Sequence, residues 1–166
     1  MTTTARAATF TVHAIPAEEL ERVRRRGRDV AGNEPTPFGA AGSPLRCCLR
    51  RATAADEVVL ISHAPLRERS PWREVGPVFV HARACPGYDE RAGLPPEVRT
   101  GPRVLRGYRA DGSLDYDAIR TVGAGEDIGP ALDELLAVPG LREVHVRAAV
   151  EQCFTYLVRP ASAVDG

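Results

Sequence analysis

The chain has 166 residues, with 22 basic and 22 acidic side chains and a formal net charge of zero. That length suits one domain with a core of its own, and the charge balance gives no pull toward nucleic acid or an anionic membrane. All the basic residues are Arg, so a single arginine says little, since arginine here also fills surface positions that lysine would take elsewhere.

Taken in chain order, "TFTVHAI" (9–15) alternates and reads as a strand. "PAEELERVRRRGRD" follows as a helix, with Pro16 at its start, acids in the first turn and arginines in the last, matching the helix dipole. Residues 28–44, dense in Gly and Pro, read as a long loop. "PLRCCLRRA" and "EVVLISHAP" read as a hairpin joined at "TAAD", and "VFVHARA" as the next strand. Residues 86–101 form a second Pro- and Gly-rich loop. "RVLRGYRA" turns at Asp111-Gly112 into "SLDYDAI". "EDIGPALDELLAVPG" is a second helix, with Asp127 able to cap it, Leu132, Leu135 and Leu136 as its apolar stripe and Pro139-Gly140 as its stop. "REVHVRAAVEQCFTYLVRP" closes the chain as a hairpin. Runs of strands with two helices predict an α+β fold: a mainly antiparallel sheet of six to seven strands with two helices packed on it, one of its neighbours open to being parallel. The expectation is a single domain over 1–166, frayed at 1–7 and 161–166.

No stretch approaches the ~20 apolar residues of a membrane span, and "MTTTARAATFTVHAIP" lacks the apolar region of a signal peptide. Cys47, Cys48, Cys85 and Cys153 therefore read as reduced thiols of a cytoplasmic protein. There is no CxxC pair, GxSxG elbow, P-loop, HExxH or EF-hand loop.

The final hairpin can be set in register. With a turn at 150–152, Val144, Val146 and Ala148 face Val158, Tyr156 and Phe154, an apolar set that a one-residue slip would destroy. His145, Arg147, Cys153 and Thr155 then share the other face. The same parity puts Arg106 with Tyr108, Phe79 with His81, and Arg46 with Cys48 and Arg50, leaving Cys47 and Leu49 on the more core-like side. If these polar sides coincide, one sheet face presents His81, His145, Arg147, Arg106, Tyr108, Arg50 and Cys48. Such a face would hold a small anion through Arg147, Arg106 and Arg50, with His81 or His145 as general acid–base and Tyr108 as proton donor. The alternative is a solvated outer face or a partner-binding surface.

His81 and Cys85 suggest a ligand pair, but four strand residues span ~13 Å, far beyond the reach of a shared zinc ion. Chelation by this pair needs the chain to fold back near Pro86, so the expectation is no metal and no cofactor. Cys48, Cys85 and Cys153 are candidate reactive thiols if cationic groups lie beside them, against the plainer reading that a free cysteine is a small buried hydrophobe.

"SPLRCCLRRA", "EVVLIS", "SPWREVGPVFVHARAC", "RVLRGYRADG" and "HVRAAVEQCF" occur in an order that resembles the bacterial family catalogued as domain of unknown function 1203. The family pattern "PCRxCLxxA" matches at Cys48 but has Leu45 where its first cysteine stands, "SPY" is replaced by "SPW", and "GCF" by Gln152-Cys153-Phe154. The resemblance implies a small stand-alone cytoplasmic protein and brings no activity with it. The Leu45 departure implies that a disulfide or metal pair using both family cysteines of that segment is impossible here. The leading expectation is a protein that binds a small anionic molecule, with or without catalysis. The alternatives are a non-catalytic partner-binding protein and a metal- or cysteine-dependent enzyme. Neither nucleic acid nor membrane is an expected partner, and a homodimer is compatible with the sequence.

Overall fold

The computed structural model describes residues 9–38 and 41–161. The ends expected to fray fall outside this range, save for Ala161, whose N–H donates to the Thr9 carbonyl.

Helix α1 (Ala17–Arg26) starts where Pro16 presets the backbone at φ −59°. Glu18 and Glu19 lie in its first turn and Arg24–Arg26 in its last, and Gly27, at φ 64°, ends it by donating to the Val23 carbonyl. Helix α2 (Gly129–Leu136) is shorter than the expected 126–140. The residues before it are drawn into bridges, Thr100 with Asp127 and Gly101 with Ala124. The N-cap position falls on Ile128 rather than on Asp127, whose Oδ1 accepts from the Gly129 N–H at 2.7 Å just ahead of the helix.

The strands are β1 (Phe10–His13), β2 (Thr36–Pro37), β3 (Val58–His63), β4 (Gly76–His81), β5 (Arg103–Arg109), β6 (Leu114–Val122), β7 (Leu141–Ala148) and β8 (Phe154–Pro160). The α+β class holds, but the strands form two sheets rather than one. A five-stranded sheet runs β1-β8-β7-β5-β6 and a three-stranded sheet runs β2-β3-β4. Every pairing of named strands is antiparallel, so the helix before β7 brings in no parallel neighbour.

The expected hairpin between 44–52 and β3 does not form; β3 pairs with β4, from Val58 opposite His81 to His63 opposite Gly76. The 44–52 segment is instead a tight turn, closed by Leu49 N–H to Leu45 C=O at 3.0 Å and Leu45 N–H to Arg50 C=O at 2.9 Å. Leu49 adopts φ 60°, which an extended strand does not allow. Its burial at 3% exposure holds a conformation that costs roughly 1–2 kcal/mol for a residue with a Cβ.

The final hairpin follows the predicted register as far as Val146, with Val144 opposite Val158, His145 opposite Leu157 and Val146 opposite Tyr156. A register shift then places Phe154 opposite Arg147 instead of Ala148. The extra residue of a bulge reverses the side on which later side chains emerge. Phe154 therefore leaves the α2 side and reaches the opposite face, where its ring meets His145 at 5.5 Å and His63 at 5.3 Å.

Two apolar clusters result. One joins α2 (Leu132, Leu135) to Val12, Leu105, Val144, Val146, Tyr156 and Val158 of the five-stranded sheet. The other lies between the sheets, where Phe154 meets Ile15, Leu20, Leu45, Ile61, Val78 and Val80. The polar side of the large sheet is thus an inner face rather than the solvated outer face of the alternative reading, and His145 and Tyr108 are almost fully buried.

Candidate functional site: a sulfur–imidazole cluster beside an interlayer cleft

The two sheets leave a cleft of about 780 Å³ between them. Its walls come from the α1 N-terminus, the segment after β3, the segment after β4, and β7 with β8. Cys47 and Cys85 line it and belong to the densest group of reactive side chains among the described residues.

That group is Cys47, Cys48, His81 and Cys85, one candidate ligand atom from each lying within 4.8 Å of all the others. The tight turn at 44–52 delivers Cys47 and Cys48 together, with sulfurs 3.9 Å apart. His81 closes β4 and directs Nδ1 at both, 3.3 Å from Cys47 Sγ and 3.8 Å from Cys48 Sγ. Its backbone N–H also donates to Cys47 Sγ at 3.3 Å.

Cys85 joins because the strand ends at His81 and the chain bends at 82–83. The ~13 Å separation along a straight strand does not apply, and the return happens before Pro86. Arg24 of α1 holds the bend, donating to the carbonyls of His81 (3.3 Å), Ala82 (3.2 Å) and Arg83 (3.0 Å). The Ala82 N–H donates to Glu57 C=O at 2.9 Å.

Behind the imidazole, Asp56 Oδ1 lies 3.0 Å from His81 Nε2. A carboxylate only accepts, so this contact draws the imidazole proton to Nε2, in competition with the Arg50 guanidinium, a donor 3.2 Å from the same nitrogen. Arg50 grips Asp56 with two hydrogen bonds of 2.8 and 2.9 Å, and the Thr53 N–H adds a third at 2.7 Å. The Arg50 hydrogen bonds, then the Thr53 amide and His81, hold the Asp56 carboxyl far below the usual carboxylate range. The two adjacent cysteines part company. The hydrogen bond from Cys47 draws Cys48 down to about 6, with the Arg50 amide, His81 and the Arg50 charge adding to it against burial. That same bond, with burial, pushes the Cys47 thiol up.

The sequence-derived site residues divide between the two sheets. His81, Arg50, Cys48 and Cys85 meet at the cluster. His145, Tyr108, Arg106 and Arg147 share the inner face of the large sheet, with the Tyr108 ring 4.2 Å from that of His145. His145 Nε2 is engaged by Glu143 at 2.9 Å, and burial lowers its pKa. Arg106 and Arg147 both donate to Glu74, so with Arg50 on Asp56 each predicted anion-holding arginine already has a carboxylate partner. Cys153 stands apart in the β7–β8 turn, its thiol directed at the Glu151 carbonyl.

One member of the cluster, Cys47, and the carboxylate behind its imidazole, Asp56, are absent from the sequence-derived site residues. Cys47 was placed on the core side by strand parity, and it is buried, yet in a turn its thiol joins Cys48. Adjacent cysteines upstream of His-x-x-x-Cys-Pro-Gly were the available signal. Asp56 carried none beyond its place before β3. Leu45, which the resemblance sets against a family cysteine, is a 1%-exposed core residue.

No curated protein and no solved structure matches the chain. The model of the family described as "Protein of unknown function (DUF1203)" matches residues 42–159, a span that takes in the whole cluster, and the chain belongs to that family.

Proposed function

We propose that this protein binds a small anionic molecule in the cleft between its sheets, with the sulfur–imidazole cluster at one side supplying chemistry to the bound molecule. The observation that carries this reading is that Cys47 and Cys85 line the same cleft as Arg67, Arg142 and Arg159. A volume of about 780 Å³ falls in the usual range for small-molecule sites. Arg67 is exposed and has no carboxylate partner among the described residues. Arg142 and Arg159 converge on Glu143, at 3.3 and 3.0 Å, and an anion entering there would share their remaining donors. For acid–base work the cleft offers His63, whose Nδ1 lies 2.8 Å from Glu19 Oε1, and His13, 3.1 Å from Glu90. A cytoplasmic setting belongs to this proposal, supported by four free thiols.

The test is a thermal-shift screen with inorganic phosphate, citrate and nucleoside monophosphates on the untagged chain. At least one should raise the midpoint, with weaker effect in Arg67→Ala and Arg159→Ala. No shift with any of them would sink the cleft reading. A second reading, cysteine-dependent catalysis with Cys48 as nucleophile, is favoured by its acidified thiol beside His81 and Asp56.

A further inference from the structure

Three sulfurs and one imidazole nitrogen within 4.8 Å of one another call for more explanation than packing. All three cysteines pack against the apolar cluster between the sheets, as small hydrophobes do, but packing alone gives their sulfurs no reason to face one another. A disulfide does not account for the group either: all the cysteines are free, and one bridge would use two sulfurs and leave the third and the imidazole unexplained. Nor does a simple nucleophile–base pair, which uses one sulfur and leaves two spare.

We propose that Cys47, Cys48, Cys85 and His81 Nδ1 form a four-coordinate site for a single thiophilic divalent transition-metal ion of the zinc class. This rests on the cluster alone and stands whether or not the cleft takes an anion.

The spacing fits that coordination. Zinc–sulfur bonds of ~2.3 Å and zinc–nitrogen bonds of ~2.05 Å in a tetrahedron put sulfurs about 3.8 Å apart and sulfur about 3.5 Å from nitrogen. The corresponding separations are 3.9 Å between Cys47 and Cys48, and 3.3 and 3.8 Å from these sulfurs to His81 Nδ1. Cys85 completes the set within the 4.8 Å envelope.

The surroundings fit as well. A metal-bound histidine ordinarily donates its other ring N–H to a carboxylate, which fixes the tautomer and strengthens the donor nitrogen. Asp56 stands where that carboxylate is needed, 3.0 Å from Nε2, and is itself fixed by Arg50 and Thr53. Asp56 is therefore a positioning residue that acts through His81. The His81 amide donates to Cys47 Sγ, the kind of N–H to sulfur bond that steadies a bound thiolate. Three thiolates and one imidazole are a soft donor set, which selects zinc, cobalt or cadmium over magnesium and calcium. The ion would tie the 44–52 turn, already bridged to β4 at Leu45 and Phe79, to the end of β4 and to the return at Cys85.

The test uses the full untagged chain. Native mass spectrometry and elemental analysis should find one zinc per chain, and cobalt(II) added to chelator-stripped protein should give thiolate-to-cobalt charge-transfer bands with the intense visible bands of a tetrahedral site. A hundredfold excess of magnesium should leave those bands unchanged. Cys48→Ser, Cys85→Ser and His81→Ala should each weaken binding more than about 100-fold, and Asp56→Asn about 10- to 100-fold with one ion still bound. Cys153→Ser, outside the cluster, should bind like the parent. Should the ligand variants misfold, the cobalt spectrum of the parent and of Cys153→Ser decides. A folded chain that is metal-free as isolated and gives no charge-transfer band with cobalt would overturn the proposal. So would a folded Cys85→Ser variant of unchanged affinity, or a loss on Cys153→Ser equal to that on Cys48→Ser.

Discussion

At the scale of single residues, the environment of each cysteine sets what it can do. Cys48 is held at about 6 by the hydrogen bond from Cys47, helped by the Arg50 amide, His81 and the Arg50 charge. In chelator-treated protein it should alkylate with iodoacetamide at near-maximal rate by pH 7, whereas Cys47, pushed up by the same bond and by burial, should still react slowly at that pH. Peptide mapping after a short pulse distinguishes them, and equal pH profiles at the two sites would contradict the assignment. No such difference is visible in the sequence, where strand parity paired Cys48 with Arg50 and set Cys47 aside. The parity argument assumed an extended chain, and Leu49 at φ 60° breaks that assumption one residue after the pair.

At the scale of elements, the bend after β4 and the close approach of β5 to its neighbours matter most. Arg24 ties α1 to three carbonyls of the bend, so Arg24→Ala should raise hydrogen exchange at 82–85 and weaken cobalt binding while α1 stays helical. Protection unchanged at those amides would show that the bend holds itself. Gly107 in β5 has no room for a side chain: a Cβ would lie 2.8 Å from Ala118 Cβ and 2.8 Å from a Leu141 methyl. Gly107→Ala should cost about 1–3 kcal/mol by overpacking, read as a lower urea midpoint at unchanged m-value. The strands themselves were largely legible from alternation, and α1 from its charges and Pro16. The bulge that turns Phe154 over was not, because it depends on how the 149–153 turn closes against β7.

At the scale of the whole molecule, burial of a charged network between the sheets makes stability depend on pH. Burial alone would raise the pKa of Glu143, but the His145 hydrogen bond and charge, then Arg142 and Arg159, outweigh it and leave it at about 2. A carboxyl depressed on folding contributes stability that is present above its ordinary pKa near 4.5 and lost as pH falls toward 2, here roughly 3 kcal/mol. His145 is displaced downward by burial, so the unfolded chain takes up a proton first as pH falls below about 6.5. Both effects weaken the fold on acidification, and the urea midpoint should begin to fall near pH 6 and drop steeply below pH 4.5. Glu143→Gln should flatten the acid limb while lowering stability at pH 7, and an unchanged acid limb would remove Glu143 as its cause.

By itself the sequence determined the α+β class, most strands, both helices, the register of the last hairpin through Val146 and the family. All of these follow from local periodicity, turn chemistry and motif order. Tertiary structure alone decided that the strands divide into two sheets, that the polar face of the large one is an inner face, and that His81 finds its partners in Cys47, Cys48 and Cys85 rather than in His145 and Arg147. The reason is geometric. Periodicity says which side of a strand a residue takes, but not which sheet the strand joins, and a cluster of side chains from a turn, a strand end and a bend has no period to read.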